Sequence, residues 1–341
     1  MKIDLFDYNL PKELIAQKPA SPRDHSRLLV LDKNTGENED KYFYNLPELL
    51  NKDDVLVLNE TKVFPARLQG KKKTGGQVEV FLTQKINKHT WECMIGGRGL
   101  KINDKIYFEQ DLSGQIIENI NGKTKKVKFN LADEEFSICV EEIGSTPLPP
   151  YIKTEDSEQI KKDYQTVFAK NKGSVAAPTA GLHFTPELLE KIKAKGVEIL
   201  TVTLHVGLGT FAPVEVDDIE EHQIHSEWAS ISKTTAEKLN KLKQQRKNII
   251  AVGTTAARTL ESFATEKNIL EHGDKWVNIY IYPGYKYKFI DQLITNFHLP
   301  KSSLLFMVSA LAGRENIMTA YSQAVEKRYR FFSFGDAMFI R

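Results

Sequence analysis

The stretch from Gly173 to Gly209, GSVAAPTAGLHFTPELLEKIKAKGVEILTVTLHVGLG, constrains the fold more than any other part of the chain. Its small run, Ser174 to Ala177, suits a strand and is halted by Pro178, because proline fixes φ and has no amide hydrogen for a sheet. A helix then begins, with Thr185 as N-cap, Pro186 at the first helical position, Glu187 at the positive end of the dipole and Gly196 as the stop. Val197 to His205, rich in β-branched residues, reads as a second strand. If the two strands are parallel neighbours, the loop 179–184 and the turn 205–210 share one edge of a sheet, where open α/β folds bind ligands. The pattern therefore predicts that His183 and His205 converge.

A chain of 341 residues can hold two domains, and its 41% apolar and 27% charged content is that of an ordinary soluble protein. MKIDLFDYNLPKE has no apolar signal-peptide core, and the greasy run Ser302 to Gly313 is too short to cross a bilayer, so a cytoplasmic location with no membrane partner is expected. Cys93 and Cys139 lack paired-ligand spacing and read as reduced core residues. Charge is unevenly spread. Residues 62–130 carry 14 Lys or Arg against 6 Asp or Glu, whereas residues 131–160 carry 8 acidic residues and a single lysine. A basic face of this kind suits a polyanion, although a KKK run alone is more often a solvated surface.

Read in order, the N-terminal part offers a short helix at Pro11 to Ala16, a strand at Arg27 to Leu31 entered through the polar cluster Arg23 to Arg27, a helix at Leu46 to Asn51 and a buried strand at Asp54 to Leu58. From Thr61 short alternating runs separated by glycine turns predict strands at Val78 to Thr83, Trp91 to Ile95, Lys105 to Phe108, Gln115 to Asn119 and Lys125 to Phe129. Helices are predicted at Glu158 to Ala169, Ala236 to Arg246, Thr255 to Ala264 and from Ser303, with strands at Asn248 to Val252, Trp276 to Tyr282 and LITNF. The expected architecture is an α/β domain with a mostly parallel sheet, residues 1–60 and 150–341, carrying an inserted small antiparallel β-barrel, residues 61–149. The proline-rich segment Pro147 to Pro150 forms the hinge.

Asn59, the PTAGLHF loop, the HVGLGTF turn, Gly253-Thr254-Thr255 and Asn296-Phe297-His298 each follow a predicted strand and would lie along one rim. Glycines there admit a ligand to the backbone amides, and helix N-termini favour anions. His183, His205, His222, His225 and His298 are candidates for acid–base work. His222 and His225 have HxxH spacing, too weak a signal for zinc without cysteines, and no metal is expected. There is no GxGxxG after a first strand, no P-loop and no GxSxG elbow.

The segments DYNLPKELIAQKPASPRDHSRLLVLD, DDVLVLNETKVFPARLQGKK, SVAAPTAGLHFTPELL, LHVGLGTFAPVE, HSEWASIS, AVGTTAARTLES and TNFHLPKSSLLFMVSAL resemble those of the S-adenosylmethionine:tRNA ribosyltransferase-isomerases of queuosine biosynthesis, from end to end of the chain. The resemblance implies transfer of the ribosyl part of S-adenosylmethionine to 7-aminomethyl-7-deazaguanine at the tRNA wobble position, giving epoxyqueuosine, adenine and methionine. It implies an α/β domain joined to a β-barrel, S-adenosylmethionine as the sole cosubstrate and tRNA as partner; separately, a monomer is expected. Under it His183 and His205 would carry protons, and His298 or His225 would protonate adenine. Thr179, Gly181, Gly207, Gly209, Thr210 and Gly253 to Thr255, with Asn59 and Asn296, would bind S-adenosylmethionine. Arg67, Lys71, Lys72, Lys73 and Arg98 would meet tRNA phosphates. The alternatives are an S-adenosylmethionine-dependent RNA methyltransferase and a non-catalytic RNA-binding protein.

Overall fold

The computed structural model describes residues 1–154, 157–207 and 214–341. Its strands are β1 (Arg27–Leu31), β2 (Asn38–Tyr42), β3 (Asp54–Asn59), β4 (Thr61–Val63), β5 (Arg67–Lys72), β6 (Gln77–Lys85), β7 (Thr90–Gly96), β8 (Lys105–Tyr107), β9 (Ser113–Asn121), β10 (Thr124–Phe129), β11 (Asn171–Ser174), β12 (Glu198–Leu204), β13 (Glu227–Ile231), β14 (Asn248–Val252), β15 (Gly273–Val277), β16 (Gln292–Asn296) and β17 (Ala337–Ile340). The helices are α1 (Leu46–Leu49), α2 (Asp133–Ile143), α3 (Glu158–Asp163), α4 (Pro186–Ala194), α5 (Lys233–Gln244), α6 (Thr254–Phe263), α7 (Ser303–Ala312) and α8 (Arg314–Glu326).

The large sheet runs β15-β13-β12-β3-β14-β16-β17-β1-β2. Its centre, β12-β3-β14-β16, is parallel. Beyond β12 and β16 the pairing turns antiparallel, with β17 and β1 running together against the centre. The sheet is therefore mixed, and the expected mostly parallel sheet holds only for its core. Alternate residues on each strand face opposite cores, as the period of two requires. Val55, Val57, Ile249, Ala251 and Leu293 face α5 to α8, while Leu56, Leu58, Ile250, Val252 and Ile294 face α1 and α4.

Helix α4 is capped as its sequence requires, with Thr185 Oγ1 accepting the Leu188 amide at 3.1 Å and Pro186 in the first turn. Its preceding strand, however, is not a neighbour of β12. Strand β11 pairs with β4 in a separate ribbon, and β3 is the parallel neighbour of β12. The loop still reaches the strand ends, because Ser174 Oγ accepts the Val206 amide at 2.9 Å and Val175 donates to the Val206 carbonyl at 3.1 Å.

Strands β5 to β10 close a six-stranded antiparallel barrel, ordered β10-β7-β6-β5-β8-β9. Leu68, Val80, Leu82, Cys93, Ile106, Ile116 and Val127 fill it, and Phe136, Cys139 and Val140 of α2 pack against that core. Gly114 is needed inside, since a Cβ there would meet Val127 at 2.7 Å. Entry and exit of the barrel are stitched together, with Ser145 donating to the Arg67 carbonyl at 2.9 Å. Strand β5 and helix α2 were not anticipated from the sequence.

Candidate active site

The four parallel strands end on one edge, and the antiparallel strands begin there. Carboxyl ends deliver Asn59, His205, Gly253 and Asn296 to His298, while strand beginnings deliver Ser26, Glu227 and Asp336. A cleft of about 1020 Å³ runs between this edge and the barrel. Its walls include Arg67, Phe81, Met94, Pro147 to Pro150, Gly173, His205, Gly207, His225 and Glu227. All three tryptophans of the chain, Trp91, Trp228 and Trp276, line it, and Trp276 is 51% exposed.

His205 is the most elaborately held ring in the cleft. Its Nδ1 meets Thr61 Oγ1 at 2.7 Å, and the ring stacks on Trp228 with centroids 4.8 Å apart. Gly173, at φ +152°, leaves room for it, since a Cβ there would lie 2.5 Å from Nε2. Burial lowers its pKa to about 4, so the ring is neutral near pH 7.

A second, smaller cavity of about 50 Å³ lies at the start of α6, lined by Thr179, Gly253, Thr254, Thr255, Asn296 and His298 among others. His183 sits beside it, on the 3-10 turn Thr179–His183 that packs against β16. Its Nδ1 meets Ser26 Oγ at 2.7 Å and its ring stacks on Phe43. Burial is the largest cause of a pKa lowered to about 4. His298 is deeper still. Its Nε2 meets Thr295 Oγ1 at 3.0 Å, its carbonyl accepts Tyr8 Oη, and burial lowers its pKa to about 3.

The expected convergence of His183 and His205 takes a looser form. Both stand on the same edge, but β3 and β14 separate β12 from β16, about 14 Å at ordinary strand spacing. Asn59 is engaged within the sheet: its Oδ1 accepts the Thr61 and Leu204 amides at 3.1 Å each and its Nδ2 donates to the Leu204 carbonyl at 3.0 Å, so the side chain clamps β3 to β12 and its carbonyl oxygen is fully committed. Gly207 lines the cleft, but its amide is committed to Glu227 Oε1 at 3.0 Å. Gly181 is a packing glycine, where a Cβ would meet Phe168 at 2.7 Å. Gly209 and Thr210 lie outside the described residues.

Of the cations singled out, Arg67 lines the cleft and pairs with Glu79 at 3.0 Å. Lys71, Lys72, Lys73 and Arg98 do not line it; Lys72 Nζ donates to the Arg98 carbonyl at the far end of the β5-β6 hairpin. Two of the three cleft lysines are tied to acids, Lys85 to Asp133 at 3.0 Å and Lys172 to Glu141 at 2.5 Å, while Lys123 has no ion pair among the described residues. The cleft thus offers aromatic faces more than free charge. Ser26 belongs to the polar cluster Arg23 to Arg27 legible at the entrance of β1, whereas Glu227 and Trp228 arrive from the antiparallel strand β13, whose sequence carries no signal of its direction. Among the described residues no cluster of three His, Cys, Asp or Glu has metal-holding geometry, and no helix is long and apolar enough to cross a membrane.

Two buried neutral histidines, His183 and His298, and the half-buried His205 make acid the weak side of this protein. In the unfolded chain each binds a proton near pH 6.5, but in the folded chain only near pH 4, or 3 for His298. Their stabilisation is complete above pH 6.5 and is lost as pH falls toward 4, at up to about 1.4 kcal/mol per unit for each fully buried ring. Urea midpoints should therefore drop steeply between pH 6.5 and 4.5. A midpoint flat over that interval would contradict neutral burial.

A family model described as queuosine biosynthesis protein matches residues 3–340. S-adenosylmethionine:tRNA ribosyltransferase-isomerases of Desulfitobacterium hafniense and Clostridioides difficile are 50% and 49% identical to the chain, each over 100% of both sequences. A crystal structure of an S-adenosylmethionine tRNA ribosyltransferase from Thermotoga maritima is 36% identical, with a TM-score of 0.56 covering 99% of this chain and 100% of that one. With its rim of strand ends, its barrel and its whole length matched, the chain belongs to the queuosine biosynthesis protein family.

Proposed function

We propose that this protein is an S-adenosylmethionine:tRNA ribosyltransferase-isomerase, converting 7-aminomethyl-7-deazaguanine at the tRNA wobble position to epoxyqueuosine with release of adenine and methionine. In a chain whose full-length relatives carry that name, the reading is carried by one observation, the cleft between barrel and strand ends, with a neutral histidine and three tryptophans on its walls. Its volume accommodates an unstacked nucleotide beside a nucleoside cosubstrate. The barrel unit, residues 61–149, forms one wall and the remainder of the chain the other.

The sulfonium of the cosubstrate acidifies C5′, and a base must remove a proton there. His205 is that base, because it is neutral, faces the cleft and is held by Thr61 and Trp228. His225, exposed on the same wall, is placed to protonate departing adenine. His298 is closed in by Thr295 and Tyr321 and serves the fold. S-adenosylmethionine lies along the strand ends with Thr179, Gly253, Thr254, Thr255 and Asn296 about it. Lys71, Lys72, Lys73 and Arg98 meet tRNA phosphates outside the cleft, where they position the anticodon arm.

Incubation with S-adenosylmethionine and tRNA bearing the deazaguanine tests the reading. Adenine and methionine in equal amounts are expected; S-adenosylhomocysteine would make the protein a methyltransferase, and unchanged cosubstrate a binding protein. Trp276, the outermost aromatic of the cleft, is expected to stack an anticodon-loop base. Trp276→Ala should raise KM for tRNA by about tenfold, the lower range of one lost stack, and leave KM for S-adenosylmethionine alone. Equal KM values for tRNA in both proteins would remove Trp276 from the interface.

A further inference from the structure

The small cavity at the start of α6 contains more unpaired polarity than a closed interior tolerates. Asn296, 3% exposed, and Thr255 line it, yet Asn296 Oδ1 and Thr255 Oγ1 are buried with no hydrogen-bond partner, as is Nε2 of His183, which is 5% exposed and lies beside the cavity rather than on its wall. Such atoms normally find one, in the protein or in a ligand. Asn296 Nδ2 donates to the Phe332 carbonyl at 3.0 Å, which fixes the amide and leaves Oδ1 facing the other way. The Asn296 side chain is near enough to favour a protonated His183 ring, although neither atom completes a hydrogen bond.

Helix α6, whose start lines the same cavity, begins at Gly253 with no side-chain cap. The amides of Thr254, Thr255 and Ala256 have no partner within the helix, and the dipole adds positive potential beside them. The cavity therefore brings together an unpaired acceptor, Asn296 Oδ1, and the free donors of the α6 start. That is the complement of a zwitterion.

We infer that this cavity holds the α-amino-acid head group of the sulfonium cosubstrate. The carboxylate sits on the amides of Thr254 to Ala256 and on the Thr255 hydroxyl, and the ammonium donates to Asn296 Oδ1 and His183 Nε2. The inference rests on the function proposed above and adds to it how the unreacting end of the cosubstrate is read. About 50 Å³ is room for roughly three or four water-sized groups, comparable to a carboxylate and an ammonium carried on one carbon, whose five heavy atoms are bonded closer than separate waters. Val206 lines both this cavity and the cleft, so a head group seated here sends the sulfonium toward His205. His183 is then a neutral binding residue, its Nδ1 turned to Ser26.

The test compares S-adenosylmethionine with 5′-deoxy-5′-dimethylsulfonioadenosine, which keeps the sulfonium and ribosyl parts but has no amino-acid head. Adenine release is measured at saturating tRNA for the wild type, Asn296→Leu and Thr255→Val, with thermal melting to establish that each variant is folded. The wild type is expected to prefer S-adenosylmethionine by about a hundredfold or more in kcat/KM, and each folded variant to lose at least about tenfold of that preference through a higher KM for S-adenosylmethionine, the size expected for a hydrogen bond to a charged group. Thr255→Val is isosteric at a partly exposed position and keeps the test decisive if Asn296→Leu unfolds. An unchanged preference in every folded variant overturns the inference. A wild type that releases no adenine from S-adenosylmethionine overturns the proposed function instead.

Discussion

Replacing His205 by alanine is expected to slow adenine release by at least about a hundredfold, the lower range for a lost general base, with the protein still folded. The ring is suited to the role by its surroundings more than by its intrinsic basicity. Thr61 fixes Nδ1, Trp228 fixes the ring plane, and Gly173 leaves Nε2 uncrowded. Because burial lowers its pKa to about 4, the base form persists from pH 8 down to about pH 5, and titration of His205 should add no acid limb near 6.5. Gly173→Ala should act like the His205 variant, since the new methyl would strike the ring and the backbone at φ +152° disfavours a side chain. Single-turnover rates at pH 7 decide the matter, and a His205→Ala rate within threefold of wild type would assign proton removal elsewhere.

Glu227→Gln is expected to cost the most stability, about 3–5 kcal/mol, because it strands the buried Arg258 charge. Arg258 is 6% exposed, donates through Nη1 to Glu227 Oε2, and leaves its Nε and Nη2 without partners. Glu227 Oε1 also holds the Gly207 amide, so the pair ties α6 to the chain leaving β12. Converting both members, Glu227→Leu with Arg258→Met, should recover at least half of the loss, since two apolar groups demand no compensation. Urea titration of the single and double variants measures this. Equal losses in both would show that the Gly207 contact, rather than the buried charge, dominates.

How much of this was legible in the sequence depended on whether a feature is local. Five of the six barrel strands are legible in alternating residues and glycine turns, and β14 and β16 in short apolar runs that end at Gly253 and Asn296. The direction of a strand has no such local signature. Nothing in AMFI reveals that β17 inserts antiparallel beside β16, and nothing in NKGS reveals that β11 pairs outside the main sheet. The first placement, with β1 parallel to β17, makes that side of the sheet mixed and brings Ser26 and Asp336 to the functional edge, and the second explains why β11 is not the neighbour of β12. Helix α2 was hidden because Ala132, its N-cap, gives no capping signal. Asn59 is ambiguous for the opposite reason: a polar residue at a strand end has the same appearance whether it binds a ligand or, as here, clamps two strands. Charge excess around Lys71 to Lys73 was visible, but the pairing of Arg67, Lys85 and Lys172 with acids distant in the chain was not.

The most direct measurement of the account uses S-adenosylmethionine carrying deuterium at both C5′ positions, turned over with deazaguanine-bearing tRNA in ordinary water. If His205 takes a proton from C5′ in the cleft, the modified nucleoside retains one deuterium and the other is washed into solvent. A product retaining both would show that no base acts at that carbon and would contradict the role given to His205.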